Sequence, residues 1–158
     1  MDYFSHGFWS YIFFHRTKKP LWAVFFGLLP DTMSWGIYFF FNIFTGKLFT
    51  GPPQIDRIPE WVFTLYGISH SLIIWGLAAL ILCIIWKKVP VYLFAAPIAI
   101  AMDAITHSRE FLPTPIFWPV FDWKFPGFSW GTSWFMILNY SLITFSLIYI
   151  IYKKKKKK

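Results

Sequence analysis

Apolar segments long enough to cross a lipid bilayer constrain the fold of this chain more than any other feature of its sequence. The clearest covers residues 60–86 and contains one ionisable interior residue, His70. Residues 21–44, 91–107 and 132–152 form three further apolar segments, and about 20 apolar residues are enough for a helix to span the hydrocarbon core. Because backbone polar groups must be paired inside a membrane, each segment is predicted to be helical. The predicted fold class is therefore all-α, a polytopic membrane helical bundle of about four spanning helices.

The composition agrees with an integral membrane protein. Hydrophobic residues make up 57% of the 158 residues and charged residues only 14%, whereas a soluble domain of this size exposes much more polar surface. A shorter apolar stretch at 3–14 cannot span and is expected to add an N-terminal helix, while Pro30 predicts a kink near Asp31. We expect one membrane-embedded domain over residues 1–152, followed by a basic tail at 153–158.

The formal net charge of +8 is concentrated at the ends of the apolar segments. Six of the fifteen Lys and Arg residues form the tail at 153–158, and two Lys pairs lie at 18–19 and 87–88. Basic clusters favour the cytoplasmic side of a membrane, so we expect a cytoplasmic C-terminus and outward-facing loops at 45–60 and 108–131. This distribution predicts contacts with the lipid bilayer and none with nucleic acid, and it gives no oligomeric state.

Five ionisable side chains lie inside the apolar segments at a common predicted depth. Such groups are costly in a membrane and usually pair with one another, bind an ion or line a polar path. With a helix rise of ~1.5 Å per residue, all five fall between the midplane and the outer surface of a core ~30 Å thick. They are His6, Asp31, His70, Asp103 and His107. Their shared depth predicts one common site.

A divalent metal ion is the simplest partner for this group. Two carboxylates and three imidazoles lie in the apolar segments without a Lys or Arg among them, a set that suits zinc best, with manganese or iron as alternatives. Asp103 and His107 are four residues apart, so both lie on one helix face. A bound divalent ion lowers the pKa of water to about 7 and polarises an ester or phosphoester oxygen. Hydrolysis is therefore the reaction class that follows most directly.

Each member of the group also has a purely structural interpretation. Asp103 and His107 could form a hydrogen-bonded pair that ties helices together, and His70 could hydrogen-bond a neighbouring helix. Asp31 could cap the second half of a broken helix, since Asp is a good N-cap. His6 could lie at the membrane interface if the short N-terminal helix is not buried. Taken singly, none of these residues decides between a metal site and a helix clamp.

Two acidic residues of the loop at 108–131 are candidates for the proton donor of hydrolysis. Glu110 follows Arg109 and Asp122 lies two residues before Lys124, so surface ion pairing is the simplest expectation for both. Either carboxyl group could instead face the metal site and protonate the leaving group. Both are therefore candidate catalytic residues.

Several short motifs follow one another along nearly the whole chain. They are Phe4-Ser5-His6-Gly7, Leu29-Pro30-Asp31, Ser69-His70-Ser71, the Asp103 helix leading into Thr106-His107-Ser108, the loop at 111–119 and Ser129-Trp130-Gly131. By the order and spacing of these motifs, the chain resembles small bacterial membrane proteins classed as metal-dependent hydrolases, distantly similar to zinc-dependent phospholipase C. The resemblance implies a bacterial-type inner (plasma) membrane as the location.

The resemblance also implies a set of metal ligands. They are His6, Asp31, His70 and Asp103. Where two ions bind, Asp103 would bridge them. One position departs from the family pattern, because members typically carry a His four residues before the helical Asp and this chain has Ala99 there. Either His107, one turn after Asp103, takes the role of that His, or metal binding is weak and catalysis is lost.

Three classes of function are consistent with these residues. The first is a membrane-bound metal-dependent hydrolase that acts on an ester or phosphoester at the outer half of the membrane, such as one in a lipid entering between helices. The second is a non-catalytic metal- or lipid-binding membrane protein, which Ala99 favours, so enzyme activity itself stays open. The third is a transporter, because Pro30 beside Asp31 resembles the broken helices of ion-coupled carriers. The lack of an internal repeat argues against a transporter.

Overall fold

The computed structural model describes residues 1–47 and 54–156, and its regular structure is helical. The α-helices are α1 (Tyr3–Phe14), α2 (Pro20–Asp31), α3 (Ile37–Phe44), α4 (Glu60–Ser69), α5 (Leu72–Trp86), α6 (Ala95–Thr106) and α7 (Ser133–Lys155). A π-helical segment covers Thr32–Gly36, and short 3-10 helices cover Ile55–Arg57 and Val91–Phe94. These described residues form no strand, so the all-α prediction is confirmed. Part of the loop predicted at 45–60 lies outside them.

Two helical units are long and apolar enough to cross a membrane. The first, Pro20–Phe44, joins α2, the π-helical segment and α3, and the second is α7. Helices α4 and α5 pass the same test together but are bent by 50° at the break between them, so they add at most one span. The unit Val91–Thr106 is apolar but shorter. Membrane association and two or three spans are thus supported, while the fourth span stays a prediction.

The third apolar segment is not one uninterrupted helix, and that prediction was wrong. It breaks at His70 and Ser71, where the Ser71 backbone is extended and its hydroxyl accepts a hydrogen bond from the Ile74 N–H at 3.2 Å. This contact is an N-cap that starts α5 independently of α4. The N–H of Leu72 donates to the carbonyl of Ile116 at 2.9 Å instead of to α4. Because these partners lie elsewhere in the chain, the hydropathy of the segment does not reveal the break.

After Asp31, the second apolar segment changes from an α-helix to a π-helix and then continues as an α-helix. Pro30 has no N–H to donate, and the π-helical segment begins one residue after Asp31. The Ser34 hydroxyl donates to the Pro30 carbonyl at 3.1 Å. Within the described part of the chain, the Asp31 side chain caps no helix. Single π-helical turns are frequent at functional sites, and this one begins directly after Asp31, a candidate site residue.

One face of helix α1 packs into the bundle, where it contacts α2, α6 and α7. Gly27 of α2 allows a close crossing, because a Cβ there would come within 1.9 Å of the Ser10 Oγ of α1. On the other side, the Asn139 amide of α7 donates to the Ser5 Oγ at 2.7 Å. The His6 side chain on this helix is only 1% exposed and thus lies inside the bundle, while its depth in the membrane stays a prediction.

The 108–131 loop folds back over the end of α6. The N–H groups of Phe128 and Trp130 donate to the carbonyls of Ile105 and Thr106 at 3.0 and 2.9 Å. An α-helix leaves its last carbonyls without partners, so these bonds complete the C-terminus of α6. Gly127 lies so close to the helix that a Cβ would come within 2.4 Å of the Ile105 carbonyl oxygen. The loop is thereby held next to the end of α6, where the candidate site lies.

Candidate metal site

The five ionisable side chains with a common predicted depth lie close to one another in space, and we call them the Asp–His cluster. Helix α1 supplies His6, the end of α2 supplies Asp31, the break between α4 and α5 supplies His70, and the end of α6 supplies Asp103 and His107. The Nε2 atoms of His6 and His107 lie 2.9 and 3.8 Å from the Asp103 Oδ1. The His6 Nε2 is also 3.8 Å from the Asp31 Oδ2. Their proximity is thus a feature of the fold, while their role as metal ligands stays a prediction.

Three members of the cluster form an inner trio that could hold a metal ion: Asp31, His70 and Asp103. Each offers one ligand atom, and these atoms all lie within 4.8 Å of one another. Ligand atoms around a tetrahedral ion with bonds of about 2.1 Å lie roughly 3.4 Å apart. The His70 Nε2 lies 3.3 Å from the Asp31 Oδ1 and 3.6 Å from the Asp103 Oδ2. These spacings match those of a coordination shell.

Buried polar atoms without partners support the same interpretation. Among the described residues, the His6 Nδ1, His70 Nε2 and Asp103 Oδ2 atoms are buried and lack a hydrogen-bond partner. An unsatisfied buried polar atom costs about 1–3 kcal/mol, and most such atoms in proteins have a partner. Two of these three atoms belong to the inner trio and face each other. A cation between them would satisfy both, so the residues present fit a metal ion.

The hydrogen bonds around His70 determine which nitrogen faces the trio. The Ser69 hydroxyl donates to the carbonyl of Tyr66 at 3.4 Å, so its oxygen accepts from the His70 Nδ1 at 2.9 Å. His70 therefore donates through Nδ1 and turns its Nε2 toward the two carboxylates, where Nε2 donates a hydrogen bond when protonated and offers a lone pair to a metal ion when deprotonated. Metal-binding His residues are commonly fixed in this way by a second hydrogen bond on the other nitrogen.

His107 is fixed in the same tautomer by the 108–131 loop. Its Nδ1 donates to the carbonyl of Leu112 at 3.0 Å. Leu112 has a φ of 51°, which is unusual for a residue other than glycine. The α-amino group of Met1 donates to the Asp103 Oδ1 and lies 3.2 Å from the His107 Nε2. The Nε2 atom of His107 thus points toward the cluster, and its Nδ1 is bound to the loop.

Tyr66 is part of this arrangement, although the sequence analysis did not single it out. Its ring centroid lies 4.0 Å from that of His70, and its buried hydroxyl lies 3.0 Å from the His107 Nδ1. The same hydroxyl donates to the Leu112 carbonyl at 3.3 Å. Tyr66 precedes His70 by four residues on α4, so helical spacing was a signal that could have found it.

Ala99 occupies the position at which members of the family that this chain resembles typically carry a His. Its side chain is 1% exposed and lies on α6, one turn before Asp103. A methyl group provides no ligand atom, so α6 contributes Asp103 and, one turn later, His107. The replacement of the family His by His107 stays a prediction.

A cavity of about 400 Å³, which we call the aromatic cavity, adjoins the cluster. Its lining residues are Met1, Asp2, Tyr3, Asp31, Trp35, His107, Phe111, Leu112 and Trp130. Asp31 and His107 belong to both the cavity and the cluster, so they connect the two. The inner trio is therefore within reach of a small molecule that enters the cavity.

Glu110 and Asp122 lie in a different place, a groove of about 470 Å³ that shares Leu112 with the aromatic cavity. Asp122 pairs with the Lys124 Nζ at 3.0 Å, as expected for a surface residue. A hydrogen bond from its own backbone N–H and one from the Ser108 hydroxyl hold the pKa of Glu110 below its usual value. A carboxylate that stays ionised is a poor proton donor, which weighs against that role for Glu110.

Comparisons of the chain with protein-family models, with curated proteins and with solved structures found no match. The resemblance to metal-dependent membrane hydrolases therefore stays a prediction that rests on the motifs in the sequence.

Proposed function

We propose that this protein is an integral membrane hydrolase that binds a divalent metal ion, zinc before manganese or iron, and cleaves an ester or phosphoester such as one in a lipid. The buried inner trio carries this proposal, because its unpaired nitrogen and oxygen atoms have the spacing of metal ligands. The adjoining aromatic cavity gives a substrate access to Asp31 and His107. The motif resemblance supports the same class of reaction.

The residues of the cluster have different parts in the proposed reaction. Asp31, His70 and Asp103 would hold the ion, and His107 would complete the set from the end of α6. When bound, a divalent ion polarises the ester oxygen and lowers the pKa of water. His6 orients Asp103 through the 2.9 Å contact between Nε2 and Oδ1. Proton transfer to the leaving group would require Glu110 or Asp122 to reach the substrate from the neighbouring groove that both line.

We infer that the chain crosses a bacterial-type inner membrane four times. In this arrangement α2–α3, α4–α5, α6 with its preceding 3-10 turn, and α7 each cross once. The basic clusters at 16–19, 87–88 and 153–158 then all lie on the cytoplasmic side, as basic residues prefer. The Asp–His cluster lies in the outer half of the membrane, and the 108–131 loop covers it.

A non-catalytic metal- or lipid-binding protein is the second candidate function. Two observations favour it: Ala99 supplies no ligand, and Glu110 and Asp122 line the groove beside the aromatic cavity instead of the cavity itself. The transporter interpretation is weaker, because the helix Pro20–Phe44 continues through its π-helical segment without the break that the interpretation requires.

The metal content of the detergent-purified protein tests the proposal. We expect one or two equivalents of a transition metal per chain, and we expect the Asp103→Asn, His70→Ala double variant to lose them because two ligands of the inner trio are removed. The matched control is Asp56→Asn, His15→Ala, which makes the same chemical changes outside the cluster and should keep the metal. Chromogenic phosphodiesters and esters then test turnover by the metal-loaded protein.

Circular dichroism of each variant separates loss of the site from loss of the fold. Absence of metal from the unmodified protein, even after reconstitution with zinc and manganese, would rule out the enzyme and leave the cluster as a hydrogen-bonded helix clamp. Bound metal without turnover of any ester would favour the non-catalytic candidate.

A further inference from the structure

The aromatic cavity combines apolar and polar lining residues. Its apolar walls come mainly from Tyr3, Trp35, Phe111, Leu112 and Trp130. Its polar lining includes Asp31 and His107, which also belong to the Asp–His cluster. A ligand that fits both parts has an apolar portion and a polar group at one end. Such a molecule is an amphiphile.

The size of the aromatic cavity limits how much of an amphiphile it can hold. Small-molecule sites typically measure roughly 300–1,000 Å³. At about 400 Å³, this cavity lies near the lower end of that range. Its volume suits one apolar chain better than two. The Tyr3 hydroxyl lies 3.1 Å from the Thr32 Oγ1 and connects α1 to the π-helical segment beside the cavity.

The charges around the aromatic cavity also limit the net charge of the headgroup that the cavity can accept. Among its described lining residues, two are acidic, Asp2 and Asp31, and none is Lys or Arg. The Met1 amino group is already paired with Asp103. The basic side chains of Arg109 and Lys124 line the neighbouring groove instead. In the metal-free protein, a headgroup with net negative charge would therefore meet two carboxylates and no basic side chain, whereas a divalent ion bound by Asp31 would offset part of this negative charge.

We propose that the aromatic cavity binds the single apolar chain of an uncharged or zwitterionic amphiphile and holds its ester or phosphodiester group at Asp31 and His107. This inference rests on the proposed function, because it assigns the substrate class of the same site. In the metal-free protein, the carboxylates of the lining disfavour anionic headgroups.

A photoreactive amphiphile without a hydrolysable bond tests the cavity independently of catalysis. The probe is a zwitterionic alkyl sulfobetaine with a diazirine at the end of its chain, added to the full-length protein in amphipol. After photolysis and proteolysis, mass spectrometry locates the labelled peptides. We expect label on the peptides that contain Trp35, Phe111 or Trp130. Excess sulfobetaine without the diazirine should compete for the cavity and prevent this labelling.

Two substitutions in the 108–131 loop form a matched pair for this experiment. Phe111→Ala removes a cavity wall and should lower the labelling about tenfold, the effect of losing one buried aromatic contact. Phe121→Ala makes the same change at a side chain that is 65% exposed and does not line the cavity, so labelling should persist. Trp130→Ala provides a second cavity variant, and circular dichroism verifies that each variant is folded.

A second probe tests the charge preference. In the metal-free protein, an alkyl sulfate with the same chain and diazirine should label the cavity more weakly than the sulfobetaine. Equal labelling by both probes would overturn the headgroup assignment, and label confined to the lipid-facing helices, unchanged by Phe111→Ala, would overturn the cavity assignment. Cavity labelling of a protein that binds no metal would reject the hydrolase and retain the binding site. Ester turnover without labelling of the cavity would retain the hydrolase and reject the cavity as the binding site.

Discussion

The contact between Ser69 and His70 decides which imidazole nitrogen meets the carboxylates of the inner trio. With Nδ1 bound to the Ser69 oxygen at 2.9 Å, Nε2 faces Asp31 and Asp103. A deprotonated Nε2 without a cation would lie beside two negatively charged groups. The hydrogen bond would therefore orient His70 for the proposed metal ion before the ion arrives.

Replacement of this hydroxyl should weaken metal binding without removing a ligand. Hydrogen-bond partners of metal-binding His residues typically contribute about 10–100-fold to affinity, so we expect a loss of that size in Ser69→Ala. Titration of the metal-free protein with Co²⁺, followed by its visible absorption, measures the change.

Two further variants make this measurement specific. Ser69→Thr keeps a hydroxyl and should restore most of the affinity, and Ser141→Ala, at an exposed position on α7, should have no effect. Equal Co²⁺ affinity in Ser69→Ala and Ser141→Ala would mean that the hydroxyl does not orient His70.

The residues of the cluster could be grouped from the sequence, but the contacts among them could not. Helix rise and membrane thickness have nearly fixed values, so counting residues places Asp31, His70 and Asp103 at one depth. The tautomer of His70 depends on the backbone break beside it, and that of His107 depends on the position of the Leu112 carbonyl. Both are products of tertiary structure.

At the level of elements, the start of α1 was predictable and the break between α4 and α5 was not. Local apolar residues define Tyr3–Phe14, and the helix matches its predicted bounds. The break depends on Ser71, whose hydroxyl donates to the carbonyl of Trp118 at 2.5 Å as well as capping α5. Since Trp118 lies in the 108–131 loop, far along the chain, no window of local sequence contains that information.

The attachment of the 108–131 loop to α6 makes Gly127 intolerant of a side chain. A Cβ there would approach three backbone carbonyl oxygens of residues 104–107 at 2.4–2.8 Å, and backbone atoms cannot move aside as a flexible side chain can. We expect Gly127→Ala to lower the free energy of unfolding by about 3 kcal/mol, at the upper end of overpacking effects. Thermal unfolding in detergent, followed by circular dichroism, measures it.

Gly131→Ala is the matched control in the same loop. The nearest atom to a Cβ there is the Ser129 Oγ at 3.8 Å, an ordinary contact. The two variants should therefore differ clearly in melting temperature. Similar melting temperatures would show that the loop is not held against α6 as described.

For the whole molecule, the number of crossings determines on which side Lys88 lies. With four crossings, Lys88 follows the second and Lys158 the fourth, so both are cytoplasmic. If α4 and α5 instead form a re-entrant loop and the shorter unit Val91–Thr106 does not cross either, two crossings remain, and Lys88 lies outside while the C-terminus stays inside. The 50° bend makes this a real distinction, since hydropathy treats the pair as one span.

Reporter fusions decide between these arrangements. We expect a cytoplasmic reporter to be active after both Lys88 and Lys158, because the basic residues at 87–88 and 153–158 favour that side. A reporter active only after export should be silent at both positions. Activity of the exported reporter at Lys88 alone would replace four crossings by two, with α4–α5 re-entrant and Val91–Thr106 not crossing, and activity at Lys158 would contradict the cytoplasmic C-terminus.

The 108–131 loop also connects the two proposed binding events. It supplies cavity walls through Phe111 and Trp130, and it holds the His107 Nδ1 through the Leu112 carbonyl. Both proposed ligands would contact residues that this loop supplies or holds, so a loop arrangement favoured by one ligand would also favour binding of the other. The ion and the amphiphile should then raise each other's affinity by the same factor, as thermodynamic reciprocity requires. A membrane rich in a suitable amphiphile would let the protein retain its ion when free metal is scarce.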